Sequence, residues 1–411
     1  MTGPLAGMRV LDLTHFMAGP FCSMLLADMG ADVVKVERPQ GEDGRRMSAG
    51  GFRSFDAVNR NKRSIAVDLG REEGCQVVRR MAEQADVLVQ NFRVGSLERM
   101  GLAYEDLALV NAGIIYCSIS GFGTTGPRRE EGGLDLIAQG FTGLMSVTGE
   151  PGRPPVKIGV PICDLNAGLF GALGILAAWA HRLRTGVGQM VDTSLMEGGI
   201  AYTIWESGLF WASGEVPGPE GSAHRLAAPY EALRTADGYI TVGGASQLNW
   251  ERICAALDRA DLAVDDRFRT PSLRLGNRQE LAGVLEGVLA GSTTAEWLAR
   301  LNEEGVPCGP VNTIASVYED AQVRARQMAV EVRASAGGNT TVIGPPVKLS
   351  RTPPSVARGA PALGEHTHEV LREYSFTDDE IGDLRRAGIA HGESPRARDE
   401  PRPAPTARRA T

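Results

Sequence analysis

Apolar positions along this chain follow two rhythms. Short runs rich in β-branched residues, Met8–Leu13, Ala31–Glu37, Asp86–Gln90 and Gly113–Ile119, read as strands. Pro20–Met29 and Glu72–Gln84 carry helical spacing between them. Strands alternating with helices predict an α/β fold with a mostly parallel sheet covered on both faces. Gln189–Leu195 fits one more strand leading into a helix. Val156–Val160 is a further strand candidate, followed by an uncharged stretch from Leu169 to Ala180. That stretch predicts a buried helix over 165–180, with Gly168, Gly171, Ala172 and Gly174 allowing close backbone packing.

Asp164 interrupts the small, apolar run Pro161–Gly168. A carboxylate in such surroundings is costly unless something satisfies or uses it. Local sequence leaves two readings open: an N-cap for the helix that follows, or a catalytic acid.

The pattern breaks around Gly214–Arg225, where Pro and Gly accumulate. This predicts a linker over 214–227, separating a first part (1–213) from a second unit (228–328). The second unit opens with a strand at Gly238–Val242 and then runs mostly helical past Trp250, Trp297 and Leu301. Residues 329–392 return to strand-like, Pro-rich segments and a helix at Thr367–Tyr374, and 393–411 reads as a disordered tail.

Composition narrows the class. The chain has 411 residues, 43% hydrophobic and 23% charged, as expected of a soluble enzyme of two or three domains. A net charge of -7 gives no general attraction for nucleic acid. The N-terminus lacks a basic segment followed by an apolar stretch, so no signal peptide is expected. The Gly-rich helix over 165–180 is too short to predict a membrane span. The six cysteines show no CxxC and read as reduced core residues, which points to the cytoplasm. Nothing activates Cys163 as a nucleophile. His366 and His368 lack a third ligand, so no metal site is expected. Lysine occurs only at Lys35, Lys62, Lys157 and Lys348; the arginines that dominate suit phosphate binding.

Gly121-Phe122-Gly123-Thr124-Thr125-Gly126 matches G-x-G-x-x-G after a strand. Pro127 and the charged stretch behind it read as loop, not as the helix a dinucleotide fingerprint requires.

These glycines fit another pattern. Ala18-Gly19-Pro20, the segment from Gly30 to Pro39, Asn61–Ser64, Asn91-Phe92-Arg93, Gly121–Gly123, Thr185–Gln189 and Gly305–Val311 stand in an order that resembles the family III CoA-transferases. The resemblance spans residues 5–375 and includes the related α-methylacyl-CoA racemases. It implies a large Rossmann-like CoA-binding domain built from both ends of the chain, a smaller α+β domain, and an interlocked homodimer. Asp164 falls at the family's nucleophilic aspartate, attacking an acyl-CoA to give a mixed anhydride and then an aspartyl-CoA thioester. An aspartate, with its reference pKa of about 3.9, is expected to be ionised already at neutral pH. CoA and acyl-CoA would be substrates rather than a permanent cofactor, with a carboxylic acid as acceptor. CoA contacts are implied at Arg38, Val67, Asp68, Leu69, Gly70, Asn91, Phe92, Arg93 and Arg99, with Lys62 and Arg63 as further candidates. Asp135 matches an acid beside the active site, or caps its own helix. His15 and His224 stay open. Leu134 replaces the histidine of the racemases, which argues against proton transfer at an α-carbon. The alternatives are a racemase and a non-catalytic CoA-binding protein.

Overall fold

Val10 and Leu11 point to opposite faces of strand β1 (Arg9–Asp12), and both are fully buried. The same alternation holds for Val33 and Val34 in β2 (Asp32–Glu37), so the sheet must be covered on both sides. A computed structural model describes residues 3–49, 52–334 and 338–392 of the chain. The expected tail lies outside these residues.

Four more parallel strands join the first two: β3 (Arg63–Val67), β4 (Val87–Gln90), β5 (Ile115–Ser120) and β6 (Met190–Ser194). The seven-stranded sheet runs from an edge strand, Ala390–His391, through β3, β2, β1, β4 and β5 to β6. The edge strand pairs antiparallel with β3, Ala390 opposite Val67, and draws the C-terminal segment into the sheet. β3 and the edge strand escape the sequence pattern, since one opens on Arg63-Ser64 and the other is two residues long.

Helix α1 (Ala18–Asp28) covers one face, and α2 (Glu72–Ala82) covers the other. The expected strand Val156–Val160 does not form; Ile158 N–H donates to the Gln139 side chain instead of a ladder. The helix after it, α4 as numbered after the short α3 (Asp135–Phe141), runs from Ile162 to Thr185, longer than predicted. It sinks against α1 and the sheet. A Cβ on Gly168 would stand 2.5 Å from the Ala18 carbonyl oxygen. β6 leads into α5 (Leu195–Ile200), as expected.

The chain divides into two compact units. The first comprises the residues up to Leu144, Ile158–Trp205 and those from Ala325 onward. The second comprises Met145–Lys157 and Glu206–Arg324. It thus begins before the expected linker and takes in a segment the sequence pattern left with the first. Its antiparallel sheet orders Cys308–Pro310, Tyr239–Gly243 and Tyr230–Arg234 over a core around Trp250 and Phe268. Within the linker, Glu220 pairs with both Arg225 and Arg278 of this unit.

Under the C-terminal end of β1 lies a fully buried ionic cluster. Asp12 accepts from Lys62 Nζ at 2.9 Å, Ser23 Oγ at 2.6 Å and Thr14 Oγ1 at 2.5 Å. Lys35 Nζ donates to the Thr14 carbonyl at 2.6 Å and pairs with Glu42 at 3.0 Å. Burial alone would raise the Asp12 pKa, but Lys35, Lys62 and the hydroxyls outweigh it and hold the carboxyl well below its usual range. Burial pushes the Lys62 ammonium down to about 8 against the pull of Asp12. Removing one ion of such a set leaves the other uncompensated. Lys62→Met is expected to cost about 3 kcal/mol in denaturant unfolding. Arg38→Met, which breaks a half-exposed pair with Asp43, should cost under about 1 kcal/mol.

Candidate active site

Helix α4 starts at Ile162, and the preceding Pro161 has no side chain to cap it. Asp164 is therefore the third residue of the helix and not its N-cap. The cap comes from another helix: Asp135, first residue of α3, accepts from Cys163 N–H at 2.9 Å through Oδ1. Its Oδ2 accepts from Gln139 Nε2 at 2.7 Å, and Gln139 Oε1 takes Ile158 N–H at 2.8 Å. Both Asp135 oxygens are thus engaged, while the Asp164 carboxylate accepts no hydrogen bond from the described residues. Asp135 caps α4 rather than α3.

Burial, and then the neighbouring Asp135 carboxylate, push the Asp164 pKa up to about 7. The expectation of a fully ionised aspartate at neutral pH is thereby corrected: near pH 7 the group is about half charged. The Cys163 thiol, buried and beside both acids, rises to about 12 and stays protonated.

Asp164 opens into a cavity of about 430 Å³ at the C-terminal edge of the sheet. A neighbouring trough of about 360 Å³ is lined by Arg38, Asp68, Leu69, Gly70 and Met100. His15, Phe16 and Phe92 line both. Phe16 holds a φ of +65°, a conformation that L residues rarely adopt. Asn91 locks that turn, accepting from His15 N–H at 2.9 Å and donating to the His15 carbonyl at 2.8 Å. Beneath it, Thr14 is tied to Asp12 and Lys35. The turn between the two cavities is thus fastened from both sides.

The implied CoA contacts divide accordingly. Arg38, Asp68, Leu69, Gly70 and Phe92 line the trough, and Asn91, Phe92 and Arg93 line the Asp164 cavity. Val67 is fully buried in the core, and Arg99 lies outside these cavities, donating to Ser96 Oγ. Lys62 and Arg63 are structural: one belongs to the buried cluster, the other pairs with Asp32, Glu369 and Glu373. His15 joins the site, whereas His224 stacks on Tyr230 in the second unit. His366 precedes the helix Thr367–Glu373 and accepts from Ser64 N–H. The Gly121–Gly126 motif starts no helix; it opens a loop whose neck is closed by Gly121 and Gly133. A Cβ on either glycine would collide with the other's backbone.

An acid presented at the floor of a cavity, beside an arginine-edged trough at the strand ends, suits a large anionic ligand. The model of CoA-transferase family III matches residues 5–367. The chain belongs to this family. It is 38% identical over 375 residues to a succinyl-CoA:glutarate CoA-transferase of Mus musculus, covering 90% of this chain and 86% of that one. It is 39% identical over 389 residues to a succinyl-CoA:mesaconate CoA-transferase of Haloarcula hispanica, covering 90% and 96%. A crystal structure of a CaiB/BaiF family protein from Brucella suis superposes with a TM-score of 0.82 at 38% identity, covering 91% of this chain and all (100%) of that one. Membership in family III makes the chain an enzyme that handles CoA thioesters.

The role of Gln139 and the ionic role of Asp12, Lys35 and Lys62 are not legible in the local sequence, because Gln139 engages Ile158, 19 residues on, and Lys62 engages Asp12, 50 residues back. In free enzyme, kcat/KM should rise with pH through an apparent pKa near 7, as Asp164 loses its proton. Asp135→Asn keeps an acceptor for Cys163 N–H but removes the charge. Its acid limb should therefore move down by about one pH unit, measured by steady-state rates from pH 5 to 9.

Proposed function

We propose that this protein transfers CoA from a short dicarboxylyl thioester of the succinyl-CoA class to a dicarboxylic acid, with Asp164 as nucleophile. The observation that carries this reading is the unengaged Asp164 carboxylate, held in a cavity by a helix that Asp135 caps in its place. Relatives named for succinyl-CoA with glutarate or mesaconate support the substrate class.

The ionised carboxylate attacks the donor carbonyl, the C–S bond breaks, and CoA thiolate leaves a mixed anhydride. The thiolate attacks the aspartyl carbonyl and expels the donor acid, giving aspartyl-CoA. The acceptor carboxylate then displaces thiolate to form a second anhydride. Thiolate returns to the acceptor's acyl carbon and frees Asp164. Arg38 and the 68–70 turn would hold the nucleotide, with Asn91, Phe92 and Arg93 along the route to Asp164. Leu134 lines the cavity where a racemase needs a second proton carrier, so racemisation is disfavoured.

A homodimer belongs to the same reading. Helix α4 is long and apolar enough to cross a bilayer, but its glycine face packs on α1 and the sheet. Its other face exposes Leu169, Leu173 and Leu183, which a second copy would cover. A cytoplasmic location is in keeping with six unpaired cysteines.

Incubation with succinyl-CoA should add CoA to the peptide bearing Asp164, seen by mass spectrometry. Asp164→Asn should show no adduct and lose turnover by on the order of 10³-fold or more. Solvent deuterium entering the α-carbon of a 2-methylacyl-CoA, with no adduct, would overturn the reading.

A further inference from the structure

The Asp164 cavity adjoins a third one of about 380 Å³, and the two share Arg93, Val94, Arg129 and Glu130. Past this junction the third cavity is lined by Glu98 and Glu105 beside Tyr104 and Tyr116. The junction carries two guanidinium groups with the Glu130 carboxylate beside them, Glu131 lines the Asp164 cavity, and Glu98 and Glu105 lie further in. His15 adds no charge near neutral pH, because burial and Lys35 lower its pKa. The cations facing the Asp164 cavity are therefore Arg93 and Arg129, with Glu130 and Glu131 as their acidic neighbours.

The two arginines differ in setting. Arg93 continues the Asn91–Phe92 wall of the Asp164 cavity, the stretch that the resemblance assigns to CoA. Arg129 sits on the loop closed at Gly121 and Gly133, which is held elsewhere too. Thr124 donates to Asp192 through both N–H and hydroxyl, and Arg128 stacks on Phe141 and pairs with Glu131. Arg129 already holds a carboxylate, that of Glu130, at 3.4 Å. Both side chains are more than half exposed (56% and 78%), so this long, hydrated contact can exchange for another carboxylate.

We propose that Arg129 binds the second carboxylate of the dicarboxylic acid, displacing Glu130, and so selects dicarboxylic over monocarboxylic acceptors. The assignment rests on the CoA-transferase reading above. Glu98 and Glu105 behind the arginines repel a carboxylate carried further in, which disfavours longer diacids.

Equimolar glutarate and pentanoate, competing for CoA from succinyl-CoA, test this. Both acceptors meet the same enzyme-bound CoA, so the product ratio reports acceptor choice alone and any effect on the donor cancels. Wild type should form mainly glutaryl-CoA. Arg129→Gln should lower the glutaryl to pentanoyl ratio by about 10- to 100-fold, with Arg129→Lys in between. Arg128→Gln, on the same loop but outside the cavity, should leave the ratio within about twofold. If a variant does not turn over, calorimetric binding of glutarate against pentanoate reads the same discrimination. An unchanged ratio in Arg129→Gln, or no wild-type preference for glutarate, overturns the assignment while leaving the transferase standing. Failure of wild type to transfer CoA to either acid overturns both.

Discussion

Helix α4 begins behind a proline, and its first free N–H groups need an acceptor that Pro161 cannot supply. Asp135 supplies it from α3, accepting from Cys163 N–H, and the rest of the site is arranged around that bond. Had Asp164 turned back to cap its own helix, its lone pairs would have been spent on the backbone and lost to the substrate. Two acids divide the work: one holds the helix, the other remains free. The division carries an electrostatic consequence, since the Asp135 carboxylate adds to burial in disfavouring ionisation of the unpartnered Asp164. Gln139 keeps the division in place by engaging the second oxygen of Asp135.

A second rigid element lies under the turn at His15 and Phe16. The buried Asp12, Lys35 and Lys62 hold Thr14 from below, and Asn91 holds His15 from the side. A turn with an aromatic residue at positive φ persists only where its surroundings over-determine it. Here it forms a shared wall between the arginine-edged trough and the Asp164 cavity, so the spacing of these two compartments is set by buried charge rather than by loop flexibility.

Much of the large sheet was legible because its strands are buried on both faces and read as continuous β-branched runs. β3 was not, because its first two residues serve Arg63's ion pairs and Ser64's hydrogen bond to Glu37 rather than the core. The edge strand Ala390–His391 depends on pairing with residues more than 300 positions earlier, which no local pattern records. At the site, local sequence marked Asp164 as anomalous but could not tell cap from nucleophile. The resemblance favours the nucleophile, and the bond from Cys163 N–H to Asp135 removes the capping reading. Lys62 and Arg63 illustrate the converse. As basic residues near a strand end they resemble anion binders, and only burial and partners reveal them as internal counter-ions.

The placement of lysine has a further consequence. Thioesters acylate free amines, and a protein that handles them repeatedly risks modifying itself. Lys35 and Lys62, the lysines beneath the cavities, are fully buried and ion-paired, while Lys157 and Lys348 are exposed but line none of the three compartments. The cavity walls present guanidinium groups, which stay protonated and are poor nucleophiles. The arginine-rich composition thus supplies the cations of these compartments without a competing amine.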